Sequence, residues 1–324
     1  MYTKNQNISE IEENEIINDI FIIKSKLGIL PYSNNTKLRF ELKLKDVSGE
    51  ILLKFWGDEV KESLEKIYGS LNEGDAIHVQ GRAKEFGGVL EINVESRVHE
   101  IKILNENEFC PESFIKKSKR DVNVMFEELY RLANSISNQE LQQIVLLFLE
   151  DESWVKKFKQ TPASMFRHYN WAGGLLEQTL VITKLSLDVA KYHPKLKSDL
   201  LIAGAILHDI GKMDYFEIKT SIEISTKGQL LGHVILGIEM FDKKLQNKGF
   251  ISSKVALKLK HIISSHLGRK AYGSPVTPSF PEALVISQTK LLDSKTNGMI
   301  SIIEESNKDN NLIHHKDFGM VYIK

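Results

Sequence analysis

The period of the hydrophobic pattern changes once along this chain of 324 residues, and the change divides it into two kinds of structure. Through residues 16–104 apolar side chains tend to fall on alternate positions. In TKLRFELKLKD, Leu38, Phe40, Leu42 and Leu44 share one face, and Lys37, Arg39, Glu41, Lys43 and Lys45 the other. That is the two-residue period of a half-buried strand. DVSGE turns the chain into ILLKFW, and AIHVQGRAKEF and GVLEINVESRVHEI flank a turn at Gly87–Gly88. With IFIIKSKL at the start, the pattern predicts five strands, and DEVKESLEKIYGSL predicts a short helix between the third and fourth. This order fits an OB-fold, a small barrel that commonly binds oligonucleotides, although other small barrels share it.

Beyond residue 120 the period becomes helical. Met125, Leu129, Leu132 and Ile136 mark one helix, and Leu141, Ile144, Val145 and Phe148 a second. Leu176, Leu180, Thr183, Leu187 and Ala190 mark another. SDLLIAGAILHDIGK reads as a helix with Ser198 as N-cap and Gly211 as a left-handed C-cap. Further helices are predicted over GHVILGIEMFDKKLQNKG, SSKVALKLKHIISSHLG and PEALVISQTKLLDSKTNGM. The predicted organisation is a polar tail (1–15), the barrel (16–104), a linker and helical connector (105–160), an all-α domain (161–300) and a C-terminal tail (301–324). The fold class is thus multidomain, α and β: an N-terminal five-stranded OB-fold β-barrel followed by an all-α domain.

Forty-three basic and forty-three acidic residues cancel. This excludes bulk electrostatic attraction to nucleic acid or membrane and leaves phosphate binding to local basic patches. Cys110 is the only cysteine, so no internal disulfide forms, which fits a reducing compartment. The first twenty residues lack the apolar core of a signal peptide, and no apolar stretch approaches the ~20 residues of a membrane span. The expectation is a cytoplasmic protein without a membrane partner.

Six of the ten histidines, His168, His193, His208, His233, His261 and His266, lie between 168 and 266. In AGAILHDIGK, His208 and Asp209 end an apolar run, and burying that carboxylate unpaired costs several kcal/mol. Neighbouring donors satisfy it in one reading, a divalent metal with imidazole ligands in the other.

HYNWAGGLLEQT, LLIAGAILHDIGK, GQLLGH, KHIISSHLG, YGSPVTPSFPEAL and LLDSKTN follow one another in an order and spacing that resembles an HD-superfamily domain. With the barrel in front, residues 16 to 300 resemble the OB-fold plus HD-domain 3′→5′ exoribonucleases of the YhaM type. The resemblance implies a two-ion centre. One ion is held by a histidine, the His-Asp pair and a distant aspartate, and the pair's aspartate bridges to a second ion held by two further histidines. Here the pair is His208 and Asp209, and His233 and His266 match the second-ion histidines. His261 is a weaker match, because it points to a different side of the helix from His266, and a capping or core role suits it equally. Two positions depart from the pattern: Gln178 stands where the resemblance expects the first histidine, and Lys290 where it expects the last aspartate. Asp293, one turn from Lys290, reads as an outer or structural group.

The first ion site thus loses two of four ligands, while the second keeps Asp209, His233 and His266. One divalent ion, Mn²⁺ or similar, is expected rather than two, and Lys290 is expected to pair with Asp209 in place of the missing ion. Lys212 is either a phosphate contact in catalysis beside His208 and Asp209 or a favourable charge at a helix terminus. His168, followed by Tyr169 where the resemblance expects a second histidine, and Arg269 with Lys270 are candidate substrate contacts. On the barrel, Tyr32, Trp56 and Phe86 with Lys37, Arg39, Lys43 and Lys54 offer stacking planes and cations for a single strand. Trp56 and its neighbour Phe55 must face opposite ways. The basic run KKSKR (116–120) reads as a solvated linker or as a guide for the strand.

The resemblance implies a metal-dependent phosphodiesterase acting on single-stranded RNA or DNA, and it allows a homo-oligomer. Gln178 and Lys290 raise a second class, a catalytically inactive single-stranded nucleic-acid-binding paralogue. An HD nucleotidase or cyclic-dinucleotide enzyme with an accessory barrel is a third.

Overall fold

The computed structural model describes residues 1–31, 38–57, 61–166, 168–246, 248–249, 252–306 and 311–323. Tyr32 and Lys37 lie outside the described residues. Contacts divide the chain into two units: residues 1–116 with 218–221, and residues 117–217 with 222–324.

The first unit is built from β1 (Ile16–Pro31), β2 (Leu38–Lys45), β3 (Glu50–Trp56), α1 (Lys61–Ser70), β4 (Ala76–Phe86), β5 (Val89–Glu95) and β6 (Ile101–Ile103). β1 is long enough to serve two neighbours. Ile16–Ile22 pair with β4 and Ile22–Pro31 with β2, and register shifts after Ile23 and Lys26 bend the strand between them. β3 and β5 pair in parallel, β4 and β5 antiparallel, so β1-β2-β3-β5-β4 closes into a ring. The alternation of β2 is realised as expected: Phe40, Leu42 and Leu44 are buried, and Phe40 stacks on Phe55 with ring centroids 4.7 Å apart. Gly87 and Gly88, both with positive φ, make the two-residue turn between β4 and β5.

Two expectations for this unit are corrected. GVLEINVESRVHEI is not one strand: β5 stops at Glu95, and β6 pairs with the outer edge of β4. The first fifteen residues are not a loose tail. Ile8 and Ile11 enter the barrel core. The backbone N–H groups of Gln6 and Ile8 donate to the buried carboxylates of Asp19 and Asp46, at 2.8 and 2.7 Å. Lys4 lies 3.5 and 3.4 Å from the same two carboxylates. Two isolated isoleucines give no period to read. The start of the join is also packed, with Leu104, Phe109 and Phe114 burying Ile20 and Ile22 on the barrel's outside.

The second unit begins with α2 (Val122–Asn134), α3 (Gln139–Leu149), α4 (Glu152–Gln160), α5 (Gly174–Tyr192), α6 (Ser198–Leu207) and the single turn α7 (Lys212–Tyr215). After a short hairpin of β7 (Phe216–Ile218) and β8 (Ile222–Ile224) come α8 (Thr226–Leu245), α9 (Ser253–Ser265) and α10 (Pro281–Glu305). The residues expected as a C-terminal tail include a hairpin, β9 (Leu312–His315) with β10 (Gly319–Tyr322). Among the described residues no helix is long and apolar enough to cross a membrane.

α6 is the centre of this unit. Every residue from Leu200 to Leu207 is buried, the signature of a helix surrounded on all sides. Gly204 lets its neighbours close in, since a Cβ there would stand 2.6 Å from Ile262 of α9 and 2.8 Å from Ile286 of α10. Both predicted caps of this helix are corrected. Ser198 is its first residue, and Lys197 takes the extended cap position, its N–H donating to Glu282 of α10. Gly211 is not left-handed (φ −64°, ψ −15°), because the chain continues in right-handed turns into α7. Its glycine is required by proximity instead: a Cβ there would lie 1.9 Å from the carbonyl oxygen of His233 and 2.4 Å from the amide nitrogen of Gly237, both on α8. α8 is itself broken at Gly232 (φ 72°), which restarts the helix at His233.

Gly211→Ala should therefore force α7 and α8 apart and cost about 1–3 kcal/mol of stability, the range of overpacked cores. Chemical denaturation is the measurement, and a variant as stable as the parent contradicts this close-packed reading.

Candidate metal centre and nucleic-acid face

The end of α6, the break in α8, the end of α9 and the middle of α10 meet at one carboxylate. Asp209 follows α6 and is buried, as are His208, His266 and Lys290. His266 Nε2 lies 3.2 Å and His233 Nε2 3.5 Å from Asp209 Oδ1. On the other oxygen, Oδ2, lie Lys212 Nζ at 2.7 Å, Lys290 Nζ at 3.0 Å and His208 Nε2 at 3.5 Å. The carboxylate is thus divided, with two imidazoles on one oxygen and both ammonium groups, beside the His208 imidazole, on the other.

His208 and His266 are delivered in the same way. Each caps its helix in right-handed conformation, and each Nδ1 sits 2.7 Å from the carbonyl three residues back, Ala205 and Ile263 respectively. A carbonyl only accepts, so Nδ1 carries the proton and Nε2 presents its lone pair to the centre. His266 Nε2 and Asp209 Oδ1 are then two acceptors facing each other at 3.2 Å. That contact repels unless a cation lies between them, and a proton is a poor solution here. Burial and the Lys290 ammonium push His266 down to about 4. Burial, with a smaller push from Lys290, brings His208 to about 3 and His233 to about 4, against the opposing pull of Asp209. Asp209 resists the upward push of burial: the Lys212 and Lys290 ammonium groups hold it well below the carboxylate range. Burial lowers Lys290 to about 8, with Asp209 opposing that fall.

Asp209, His233 and His266 are a donor set that fits a metal ion, their ligand atoms all lying within 4.8 Å of one another. Two ligands bound at about 2.1 Å and separated by 90–110° stand about 3.0–3.4 Å apart, close to the N···O separations of this trio. Among the described residues, none of the three imidazole Nε2 atoms and neither Asp209 oxygen makes a directional hydrogen bond. His208 stands outside the trio, on the oxygen that the lysines hold.

Gln178 and Asp293 form a separate cluster. Asp293 accepts from Tyr169 Oη at 3.0 Å, Gln178 Nε2 at 3.3 Å and Asn297 Nδ2 at 2.9 Å. Tyr169 reaches it from a left-handed backbone (φ 56°). Asn297 had not been singled out from the sequence; its one signal was its place four residues after Asp293 on a helix. His261 accepts the Ser279 N–H at 3.0 Å and packs on Phe280, a capping role. His168 lies half-buried with its ring edge-on to Tyr169. Arg269 is exposed, 5.9 Å from the Tyr272 ring.

On the barrel, Phe55 points into the core and Trp56 outward, its Nε1 donating to Asn93. Arg39 lies over Trp56 and Lys54 over Phe86, each 5.2 Å from the ring centroid. Both cations are also paired with carboxylates, Arg39 with Glu41 and Lys54 with Glu91. A cleft of about 470 Å³ lies between Trp56, Phe86, Lys84, Asn93 and Arg97.

Comparison with known proteins adds a family frame. Residues 175–294 match the HD domain family, and residues 33–104 the OB-fold nucleic acid binding domain family. The chain is 28% identical over 299 residues to the 3′-5′ exoribonuclease YhaM of Listeria monocytogenes serotype 4b (strain CLIP80459), covering 92% of this chain and 91% of that one. The same identity and coverage hold for the 3′-5′ exoribonuclease YhaM of Listeria innocua serovar 6a. Among solved structures, the second OB-fold domain of replication protein A from Methanococcus maripaludis is 24% identical, covering 31% of this chain and 95% of that one with a TM-score of 0.25.

The lowered imidazoles set a pH dependence. In chelator, the unfolded chain takes up protons at these histidines near pH 6.5, while the folded imidazoles wait until about 4, 4 and 3. The unfolded state binds more protons across that window, so their contribution is complete above pH 6.5 and is lost as the pH falls toward 4 and below. Urea midpoints should therefore decline from pH 7 to pH 4.5, and His266→Gln should flatten the slope. A midpoint constant over this range contradicts the assignment.

Proposed function

From an OB-fold match and an HD-domain match in one chain similar to YhaM along nine-tenths of its length, we propose that it is a divalent-metal-dependent phosphodiesterase that degrades single-stranded RNA from its 3′ end, using one ion. The observation that carries this reading is the contact between His266 Nε2 and Asp209 Oδ1, two acceptors 3.2 Å apart in a buried site. The YhaM relatives, similar along nine-tenths of the chain, supply the substrate class and direction.

Asp209 Oδ1, His233 and His266 would hold the ion, and their nitrogen-rich character favours Mn²⁺ or Fe²⁺ over Mg²⁺. When bound, such an ion supplies Lewis acidity at a phosphoryl oxygen and lowers the pKa of water. The chain's own residues supply the rest. The Ala205 and Ile263 carbonyls hold His208 and His266 in the tautomer that leaves Nε2 unprotonated. Lys212 sits where an ammonium group can take the negative charge of the scissile phosphate. Asp209, kept ionised by its cationic neighbours, is the group in the centre able to accept a proton from an attacking water. The barrel retains the strand by stacking bases on Trp56 and Phe86.

The second reading, a nucleic-acid-binding protein without hydrolysis, is favoured by Lys290 Nζ at 3.0 Å from Asp209 Oδ2, where the resemblance expects a first ion. One experiment separates the two. With Mn²⁺, the native chain should release mononucleotides from end-labelled single-stranded RNA, and chelator should stop it. Asp209→Ala should reduce the rate by more than about 100-fold, since even outer groups around metal ligands are worth 10–100-fold. Equal background for both proteins would leave the binding reading. Phe86→Ala, at an exposed side chain, should weaken binding of single-stranded RNA by about 1–3 kcal/mol in a filter or anisotropy titration. Unchanged affinity would remove the barrel face from the proposal.

A further inference from the structure

We propose that the Asp209 centre is an anion-first site: a phosphate group bound by Lys212 and Lys290 creates the affinity for the divalent ion, so that phosphate and metal bind as a coupled pair. This rests on the reading of Asp209, His233 and His266 as ligands to an ion, and it adds the order and the energetic source of loading.

Three observations support it. The first is what solvent meets. The side chains of Lys212, Lys290 and His233 are 11%, 10% and 21% exposed, whereas those of Asp209, His208 and His266 are at 0–1%. The two ammonium groups and one imidazole form the rim, and the carboxylate lies on the floor. The second is the charge balance. One carboxylate faces two ammonium groups, an excess of one positive charge before any ion arrives. Asp293, the nearest acidic residue on α10, does not offset it, because its oxygens are turned to Tyr169, Gln178 and Asn297. The third is the division of the carboxylate: both lysines hold Oδ2 and draw on the negative charge that a cation at Oδ1 needs.

A divalent ion entering alone meets two like charges and a shared counter-charge, and in a desolvated site that repulsion is strong. A phosphate arriving with it reverses the balance. It carries up to two negative charges, offers oxygen acceptors to both ammonium groups, and relieves Asp209 of part of its duty to them. The coupling is reciprocal, so the ion in turn tightens the phosphate. Lys290 is on this account the residue that makes the centre depend on its ligand, since an uncharged side chain at 290 would leave one carboxylate against one ammonium group.

The test uses the full native chain, Mn²⁺ and inorganic phosphate. Free Mn²⁺ is measured by its paramagnetic resonance signal during titration, with phosphate present and absent. Phosphate should lower the apparent dissociation constant of Mn²⁺ at least ~10-fold, within the usual span of site-to-site coupling. Lys290→Met should bind Mn²⁺ alone at least ~10-fold more tightly than the native chain and gain less than ~3-fold from phosphate. Circular dichroism checks that the variant folds, and Lys212→Met, nearer the rim, should shift both quantities in the same direction. Independently, the metal-free native chain should broaden the phosphorus-31 resonance of added phosphate. Mn²⁺ affinity indifferent to phosphate, a Lys290→Met variant that binds Mn²⁺ no better, or an unbroadened resonance each overturns the inference. None of these measurements involves RNA, so a chain that shows the coupling but cuts no RNA sinks the nuclease reading and leaves the coupled site standing.

Discussion

A single buried carboxylate organises the helical unit. Asp209 is 2% exposed and surrounded by five nitrogens from other side chains, of which the Lys212 and Lys290 ammonium groups compensate its desolvation. No two adjacent helices could supply them. His208 comes from the end of α6, Lys212 from α7, His233 from the break in α8, His266 from the end of α9 and Lys290 from α10. Removing one member of a buried charge cluster exposes the rest to an uncompensated penalty of several kcal/mol, so the packing around α6 and the electrostatics at its end stand together. The glycines express the same constraint. Gly204 admits α9 and α10 to α6, Gly211 admits α8, and Gly232 turns the chain so that His233 begins a new helical segment.

The parts of this arrangement that follow from local periodicity were readable in the sequence. Alternation at Leu38 to Leu44 gave a strand with the correct inward face, and the unbroken apolar run of α6 gave a surrounded helix with its ionisable pair at one end. What could not be read depended on contacts distant in the chain. Gly211 looks like a left-handed terminator by rule, yet its missing Cβ answers to a carbonyl twenty-two residues away on α8. Ile8 and Ile11 lie in a polar segment without period, and the carboxylates that anchor it belong to strands further on. The site followed the same division. The family resemblance singles out Asp209, His233 and His266, whereas the placing of His233 and His266 on Oδ1 and of both lysines on Oδ2 is a fact of three-dimensional geometry.

The barrel's electrostatics fit the neutral composition of the chain. Its cations are largely spent internally: Arg39 on Glu41, Lys54 on Glu91, and both Lys24 and Lys43 on Glu50. A face whose positive charges are already paired gains little from counterion release, the effect that dominates binding by basic proteins. On the proposed reading, stacking on the outward aromatics would then be the larger source of affinity, tolerant of any base because every base offers a π-face. Arg39 and Lys54, each over a ring and paired with a carboxylate, would on that reading shape the stacking surface more than serve as open phosphate ligands.

The two departures from the expected ligand set make sense together rather than separately. An ammonium group at 290 puts a positive charge beside Asp209 Oδ2, and an ion next to it would be repelled. A histidine at 178 would then present a lone pair with no ion to receive it. Gln178 instead donates its amide to Asp293 Oδ2 and Ser294, and Asp293 gathers Tyr169 and Asn297 around the same carboxyl. Burial raises the Asp293 carboxyl above its ordinary value, against the opposing pull of the hydrogen bonds from Tyr169, Gln178 and Asn297. Lys290 supplies the charge, and Gln178 joins a hydrogen-bonded cluster around Asp293. The result is a centre with lysines on one carboxylate oxygen and, on the proposed reading, a cation position at the other.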